Sequence, residues 1–233
     1  MRLVPGIVSG ACACSVALIL AATSPRGAGA RAPFPEPSLD DRLVSSDGQS
    51  GAAGAVTVVL AGGCFWGIQA VFQHVKGVVS ATSGYAGGPA RSARYELVST
   101  GRTGHAESVQ VVYDPARITY GQLLKVFFAV AHDPTELNRQ GPDHGTQYRS
   151  VIFYANEAQQ RIANAYIEQL NDARTFPRTI VTQVVPIEGF YSAESYHQDY
   201  ADRHPFDPYI LINDRPKVER LLKLYPEIYV EHP

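Results

Sequence analysis

From Val56 onward the chain consists of short apolar runs separated by glycine-bearing turns, and the spacing of the runs alternates between that of strands and that of helices. Val56 to Ala61 is a continuous run rich in β-forming residues, the pattern of a buried strand. Gly62 and Gly63 then turn the chain into a helix expected from about Phe65 to His74. Further strands are expected at Val78 to Ser83, Ser108 to Tyr113, Ser150 to Tyr154 and Thr179 to Ile187. Two longer helices interrupt them. One opens on Thr119 with Gln122 three residues on, and turns Leu123, Leu124, Phe127 and Phe128 inward; the other opens on Asn156 with Gln159 and buries Ile162, Tyr166 and Leu170. Strands and helices mix without strict βαβ alternation, so the expected class is α+β: one domain over residues 54–233, a mixed sheet with flanking helices.

The first 53 residues have a different texture. Arg2 precedes an apolar run from Ala11 to Ala22, and small residues follow at Ala28-Gly29-Ala30, the pattern of a signal peptide over residues 1–30 that is removed on export to the periplasm or beyond the cell. The run is shorter than the roughly 18 apolar residues of a membrane-spanning helix, so no stable membrane association is expected. A lipid-anchored form would need Cys12 or Cys14 after the run, and both lie at its start. Residues 31–53 are rich in Pro, Ser, Gly and Asp and suggest a mobile leader. A chain of 233 residues that is 45% hydrophobic buries a sizeable core, while a formal charge of −2 offers no footprint for nucleic acid or anionic lipid.

Loss of the signal would remove Cys12 and Cys14 and leave Cys64 as the one cysteine of the mature chain. An unpaired thiol in an oxidising compartment is either reactive or buried and inert, and the count leaves both open. Position adds to the count. Cys64 falls where a strand hands over to a helix, beside unpaired backbone N–H groups and the positive end of the helix dipole, which is expected to favour the thiolate. The seven histidines include no pair at helical metal-ligand spacing, so no metal is expected.

The run Gly63-Cys64-Phe65-Trp66-Gly67 resembles the signature of the methionine sulfoxide reductase A family. The resemblance continues in order through Gly84-Tyr85-Ala86-Gly87-Gly88, Gly104-His105-Ala106-Glu107, His132-Asp133-Pro134, Asp143-His144-Gly145-Thr146-Gln147-Tyr148-Arg149-Ser150 and Tyr196-His197-Gln198. It implies a ferredoxin-like core, a Cys64 nucleophile that attacks the sulfoxide sulfur, and Glu107, just before the strand at Ser108, as the acid that protonates the sulfoxide oxygen. Tyr95 and Tyr148 would donate phenol hydrogen bonds to that oxygen, Asp143 would hold the substrate or a water, and Tyr200 would reach the pocket. Phe65 and Trp66 would form the apolar wall for the methyl group, with His105 and His197 in supporting hydrogen bonds. The substrates implied are methionine S-sulfoxide in oxidised proteins and the free compound, without a bound cofactor.

Two departures from the family pattern matter. Many members carry further cysteines near the C-terminus, and this chain has none, so attack would leave a Cys64 sulfenic acid that only an external thiol can resolve: a thioredoxin-like or glutaredoxin-like protein, or a small thiol. Gln69 stands where a glutamate is frequent, which removes a negative charge from the same helix and is expected to favour Cys64 ionisation slightly. Competing readings are a single-thiol peroxidase and an exported protein that binds oxidised methionine without turnover. The peroxidase would need a cation beside the thiolate, and no Arg or Lys follows Cys64 in sequence before Lys76.

Overall fold

The computed structural model describes Met1, residues 34–40 and residues 54–231. Apart from Met1, the expected signal peptide lies outside the described residues, as do Cys12 and Cys14. The core is a six-stranded sheet. At its centre β1 (Val56–Gly62) pairs antiparallel with β3 (Ala106–Tyr113) on one side and with β6 (Ser150–Tyr154) on the other. β2 (Val78–Ala86) joins β3 antiparallel, β8 (Phe190–Ser192) extends β2, and β7 (Gln183–Pro186) lies parallel to β6. The architecture is the expected α+β.

Alternation along β1 explains its continuous apolar run. Val58 and Leu60 face the large core under the helices, whereas Val59 and Ala61 face a smaller cluster with Ala86, Ala106, Val151 and Phe153. On the larger side α1 (Phe65–Gln73) packs against β2, and its buried residues include Phe65, Ile68, Val71 and Phe72. A short α2 (Tyr95–Val98) follows β2. The expected capping box opens α3 (Tyr120–Val126): the Thr119 hydroxyl accepts from the Gln122 N–H at 3.1 Å, and the Gln122 side chain accepts from the Thr119 N–H at 3.0 Å. Its inward residues then continue through a π-helical turn at Phe127–Ala131. Asn156 caps α4 (Glu157–Asp172) as expected, but the Gln159 side chain accepts from Ala155 N–H and donates to the Thr57 carbonyl, fastening the helix to β1 instead of closing a box.

Three expectations change. β2 runs on to Ala86 and β3 starts at Ala106, because Gly84-Tyr85-Ala86 pairs with Ala106-Glu107-Ser108; Glu107 therefore lies inside a strand, opposite Tyr85. The strand expected over Thr179 to Ile187 shrinks to β7, since the Ile180 N–H goes to Asn171 and the Val181 N–H to the Pro134 carbonyl instead of to a ladder. Residues 34–40, within the expected mobile leader, are held to the domain. Tyr166 donates to the Pro35 carbonyl at 2.7 Å, Gln169 to the Glu36 carbonyl at 2.6 Å, and the Asp40 carboxylate accepts from the Gly121 N–H and the Thr119 hydroxyl at the start of α3.

Candidate active site

β1 ends at Gly62 and α1 begins at Phe65, so Cys64 occupies the N-cap position of α1 just past the C-terminal end of a central strand. Gly63 makes this approach possible: its φ is +103°, and a Cβ there would stand 2.6 Å from the Gln140 side chain. Gln140 belongs to a small hairpin, β4 (Arg139–Gln140) with β5 (Asp143–His144), and bonds both the N–H and the carbonyl of Asp133. The hairpin thereby carries Asp143 to the cysteine's side of the sheet. Arg149 bridges the Gly104 carbonyl and the Thr146 carbonyl, which ties the turn bearing Tyr148 to the start of β3 and Glu107. Glu194 accepts from the Tyr85 hydroxyl at 2.8 Å and from the Tyr95 N–H at 3.0 Å, fixing the start of α2 against β2.

Cys64 is only 8% exposed. Burial pushes its thiol well above the ordinary range, the carboxylates of Glu107 and Asp214 push the same way, and the Trp66 N–H and Lys217 oppose them weakly. The expected preference for the thiolate is therefore overturned. One helix-start hydrogen bond and a nearby ammonium do not offset desolvation together with two carboxylates.

Glu107 is 2% exposed, and its Oε2 accepts from the Phe65 N–H at 3.1 Å. Burial raises its carboxyl from the usual 4.5 to about 8, against the lowering effect of that N–H and with help from Asp143 and Asp214. At neutral pH a protonated carboxyl thus stands one hydrogen bond from the residue after the cysteine. Tyr95 and Tyr148 surround the same spot: both phenols are raised first by burial and then by Glu107, with Cys64 contributing to each. They keep their protons and can donate without bringing charge.

The aromatic residues divide unlike the expectation. Phe65 is 1% exposed and packs within the core, 5.9 Å from the Tyr85 ring and 5.1 Å from that of His197. Trp66 is half-buried. It stacks on Tyr200 at 3.8 Å and 10°, and its Nε1–H donates to His197 Nδ1 at 3.3 Å. The Tyr200 hydroxyl donates to Asp207, so this residue meets the site by its ring. His105 lies behind the strand end, with Nε2 3.2 Å from the Pro89 carbonyl.

The family model for peptide methionine sulfoxide reductase matches residues 56–227. The chain belongs to that family. It is 57% identical to the peptide methionine sulfoxide reductase MsrA 2 of Mesorhizobium japonicum, over 79% of this chain and 95% of that protein, and 47% identical to the MsrA 2 of Synechocystis, over 83% and 89%. Among solved structures it is similar to the reduced form of Mxr1 from Saccharomyces cerevisiae, with 36% identity, a TM-score of 0.60 and coverage of 68% of this chain and 91% of that one. It is also similar to methionine sulfoxide reductase A of Corynebacterium diphtheriae, with 37% identity, a TM-score of 0.57 and coverage of 70% and 80%.

Within this methionine sulfoxide reductase chain three residues near Cys64 carry no sequence signal. Tyr209 donates a very short hydrogen bond to the Asp143 carboxylate and sets its ring edge-on to Trp66 at 6.0 Å. Asp214 and Lys217, paired at 3.0 Å, pack against Gly67, where a Cβ would come within 2.1 Å of the Asp214 carboxylate. That contact explains the second glycine of the signature, and it brings near Cys64 a cation, Lys217, that is distant in sequence. Gln69 also departs from expectation: its side chain turns toward β2 and residues 198–199, so its neutrality has no direct bearing on the thiol. Among the described residues no group of three or more His, Cys, Asp or Glu could hold a metal, and no helix is long and apolar enough to cross a membrane.

Proposed function

We propose that the chain reduces methionine S-sulfoxide, free and within oxidised proteins, with Cys64 as nucleophile and Glu107 as acid. The observation that carries this reading is the buried Glu107, its carboxyl pushed up to about 8, held against the residue that follows the cysteine. A sulfoxide sulfur resists attack until its oxygen is protonated or strongly hydrogen-bonded, so the acid and the two phenols face the oxygen while Trp66 takes the methyl group. Because thiol and carboxyl both rest protonated, the cysteine gives up its proton as the oxygen gains one, through Glu107. Attack forms a bond from the Cys64 sulfur to the substrate sulfur; as that bond and the sulfur–oxygen bond break, the sulfide leaves as methionine and the hydroxyl passes to Cys64 as a sulfenic acid.

Cys64 is the one cysteine among the described residues. Two external thiols therefore finish the cycle, with release of water and formation of their disulfide, and a thioredoxin-like or glutaredoxin-like protein or a small thiol fits that role. Phe65 acts from behind, as the packing that sets the Trp66 wall. The preference for the S epimer follows from family resemblance, and export to the periplasm or beyond follows from the amino-terminal pattern; the N-terminal sequence of protein recovered from the exported fraction tests the latter. The peroxidase reading gains little from Lys217, whose charge is matched by Asp214.

A steady-state assay with dithiothreitol decides between the readings. Turnover of a methionine sulfoxide peptide, with the sulfenic acid trapped by dimedone when the thiol is withheld, is expected. Turnover of peroxide alone, or a single stoichiometric binding event, would overturn the reductase.

A further inference from the structure

Gln69 lies three residues after Trp66 on α1, is 2% exposed, and spends its amide on a turn from a distant part of the chain. Its oxygen accepts from the Ser83 hydroxyl and from the Asp199 N–H, both at 3.0 Å. Its NH2 group donates to the Ala81 carbonyl at 3.0 Å and faces Gln198 Oε1 at 3.2 Å and Asp199 Oδ1 at 3.4 Å. Gln73, one helical turn on, donates to the same Asp199 carboxylate at 2.8 Å. Asp199 is left-handed, with φ +54°, and this reversal places His197 and Tyr200 on either side of the turn. Those two residues are the hydrogen-bond acceptor and the stacking partner of Trp66.

We infer that Gln69 is a positioning residue: α1 carries both the tryptophan wall and the amide that clamps the turn supplying its two supports. The inference rests on the proposed reading of Trp66 as the wall for the substrate methyl group. An amide suits the position because it must accept on one side and donate on the other. A carboxylate would keep the bonds from Ser83 and Asp199 N–H but set its second oxygen against the Ala81 carbonyl and the Asp199 carboxylate, leaving acceptors facing acceptors.

Trp66 is the chain's one tryptophan, so its fluorescence reports this wall directly and without substrate. In Gln69→Glu the emission is expected to move to the red and become more accessible to acrylamide, with KM for methionine sulfoxide raised about tenfold and kcat changed by less than about twofold. Adding Asp199→Asn to that variant removes the opposed carboxylate and is expected to bring emission and KM back toward the wild-type values. A lowered Tm with unchanged emission and KM would reduce Gln69 to a packing residue and overturn the inference. If Gln69→Glu does not fold, Asp199→Gly, which tolerates the left-handed turn but drops the carboxylate that Gln69 and Gln73 share, is read in the same way: wild-type emission and KM in that folded variant overturn it. A chain inactive on sulfoxides that still shows the emission shift would sink the reductase reading and leave the clamp standing.

Discussion

Two halves of the site are built by different means. Cys64, Phe65 and Glu107 sit on regular elements, at the junction of a central strand with a helix and inside the neighbouring strand, and all three are buried. Asp143, Tyr148, Tyr200 and Tyr209 sit on short pieces, a two-residue strand, a 3-10 turn and brief helical turns of the C-terminal segment, all half-buried. Desolvation acts in both halves, raising the phenols of Tyr148, Tyr200 and Tyr209 as well, but only in the buried half does it raise a thiol and a carboxyl together, so that Cys64 and Glu107 rest neutral. The irregular half is where hydrogen bonds and ring stacking act on groups that reach solvent. On the proposed reading, proton chemistry falls to the buried residues at the sheet and recognition to segments that length and composition alone hardly constrain.

Substitutions separate the halves by size of effect. Cys64→Ser is expected to remove turnover altogether, since a serine hydroxyl at neutral pH does not replace the sulfur nucleophile; any measurable methionine release by this variant would show that the buried half does not hold the nucleophile. Glu107→Gln is expected to lower kcat by about 10²- to 10⁴-fold, the usual worth of a general acid. In the wild type, kcat/KM should fall as pH rises through about 8, where Glu107 loses its proton, and that limb should vanish in the Gln variant.

The same group has a stability signature of definite sign. Because the folded pKa of Glu107 lies above its ordinary value of 4.5, the folded state holds a proton that the unfolded state releases, and stability falls as pH rises from about 4.5 to about 8. Glu107→Gln should therefore have a higher Tm than wild type at pH 8 and a smaller advantage at pH 4. The opposite order would mean that Glu107 is charged in the folded protein.

On the irregular side the expected effects are smaller. Tyr209→Phe removes the donor to Asp143 and should raise KM by about tenfold with kcat less affected, a loss on the scale of one charge-assisted hydrogen bond. A fall in kcat as large as that of Glu107→Gln would place Tyr209 with the proton chemistry and dissolve the division. Smallest of all, Asp40→Ala should cost about 1 kcal/mol in denaturant unfolding, as lost helix caps do, with kcat and KM unchanged. Unaltered stability would mean that the contacts of residues 34–40 contribute nothing net.

Legibility follows the same division. The glycine-cysteine junction, the capping of α3 and α4 and the central strands were readable because their causes are local: a period, a cap, a turn. Glu107 was readable through its motif, although not its place within β3, because the pairing of Gly84-Tyr85-Ala86 with residues 106–108 is a long-range event. Tyr209 is one of 13 tyrosines, and no periodicity or motif marks it out. Asp214 and Lys217 could be read as an ordinary helical i,i+3 pair, with nothing to say that Gly67 lets them pack beside the cysteine's helix. Gln69 showed as a departure whose meaning was misplaced, because a helical residue's direction depends on what packs against it.

By itself, then, the sequence determined the α+β class, the strand-to-helix setting of Cys64 and a family whose chemistry needs a thiol, an acid and phenol donors. Tertiary structure decided which groups burial pushes up, that Phe65 packs in the core while Trp66 stays half-buried, and that the Gln69 amide meets residues 198–199. The physical reason is range. Propensity, capping and signature spacing act within a few residues, whereas desolvation and charge coupling depend on which distant segments arrive at the same place.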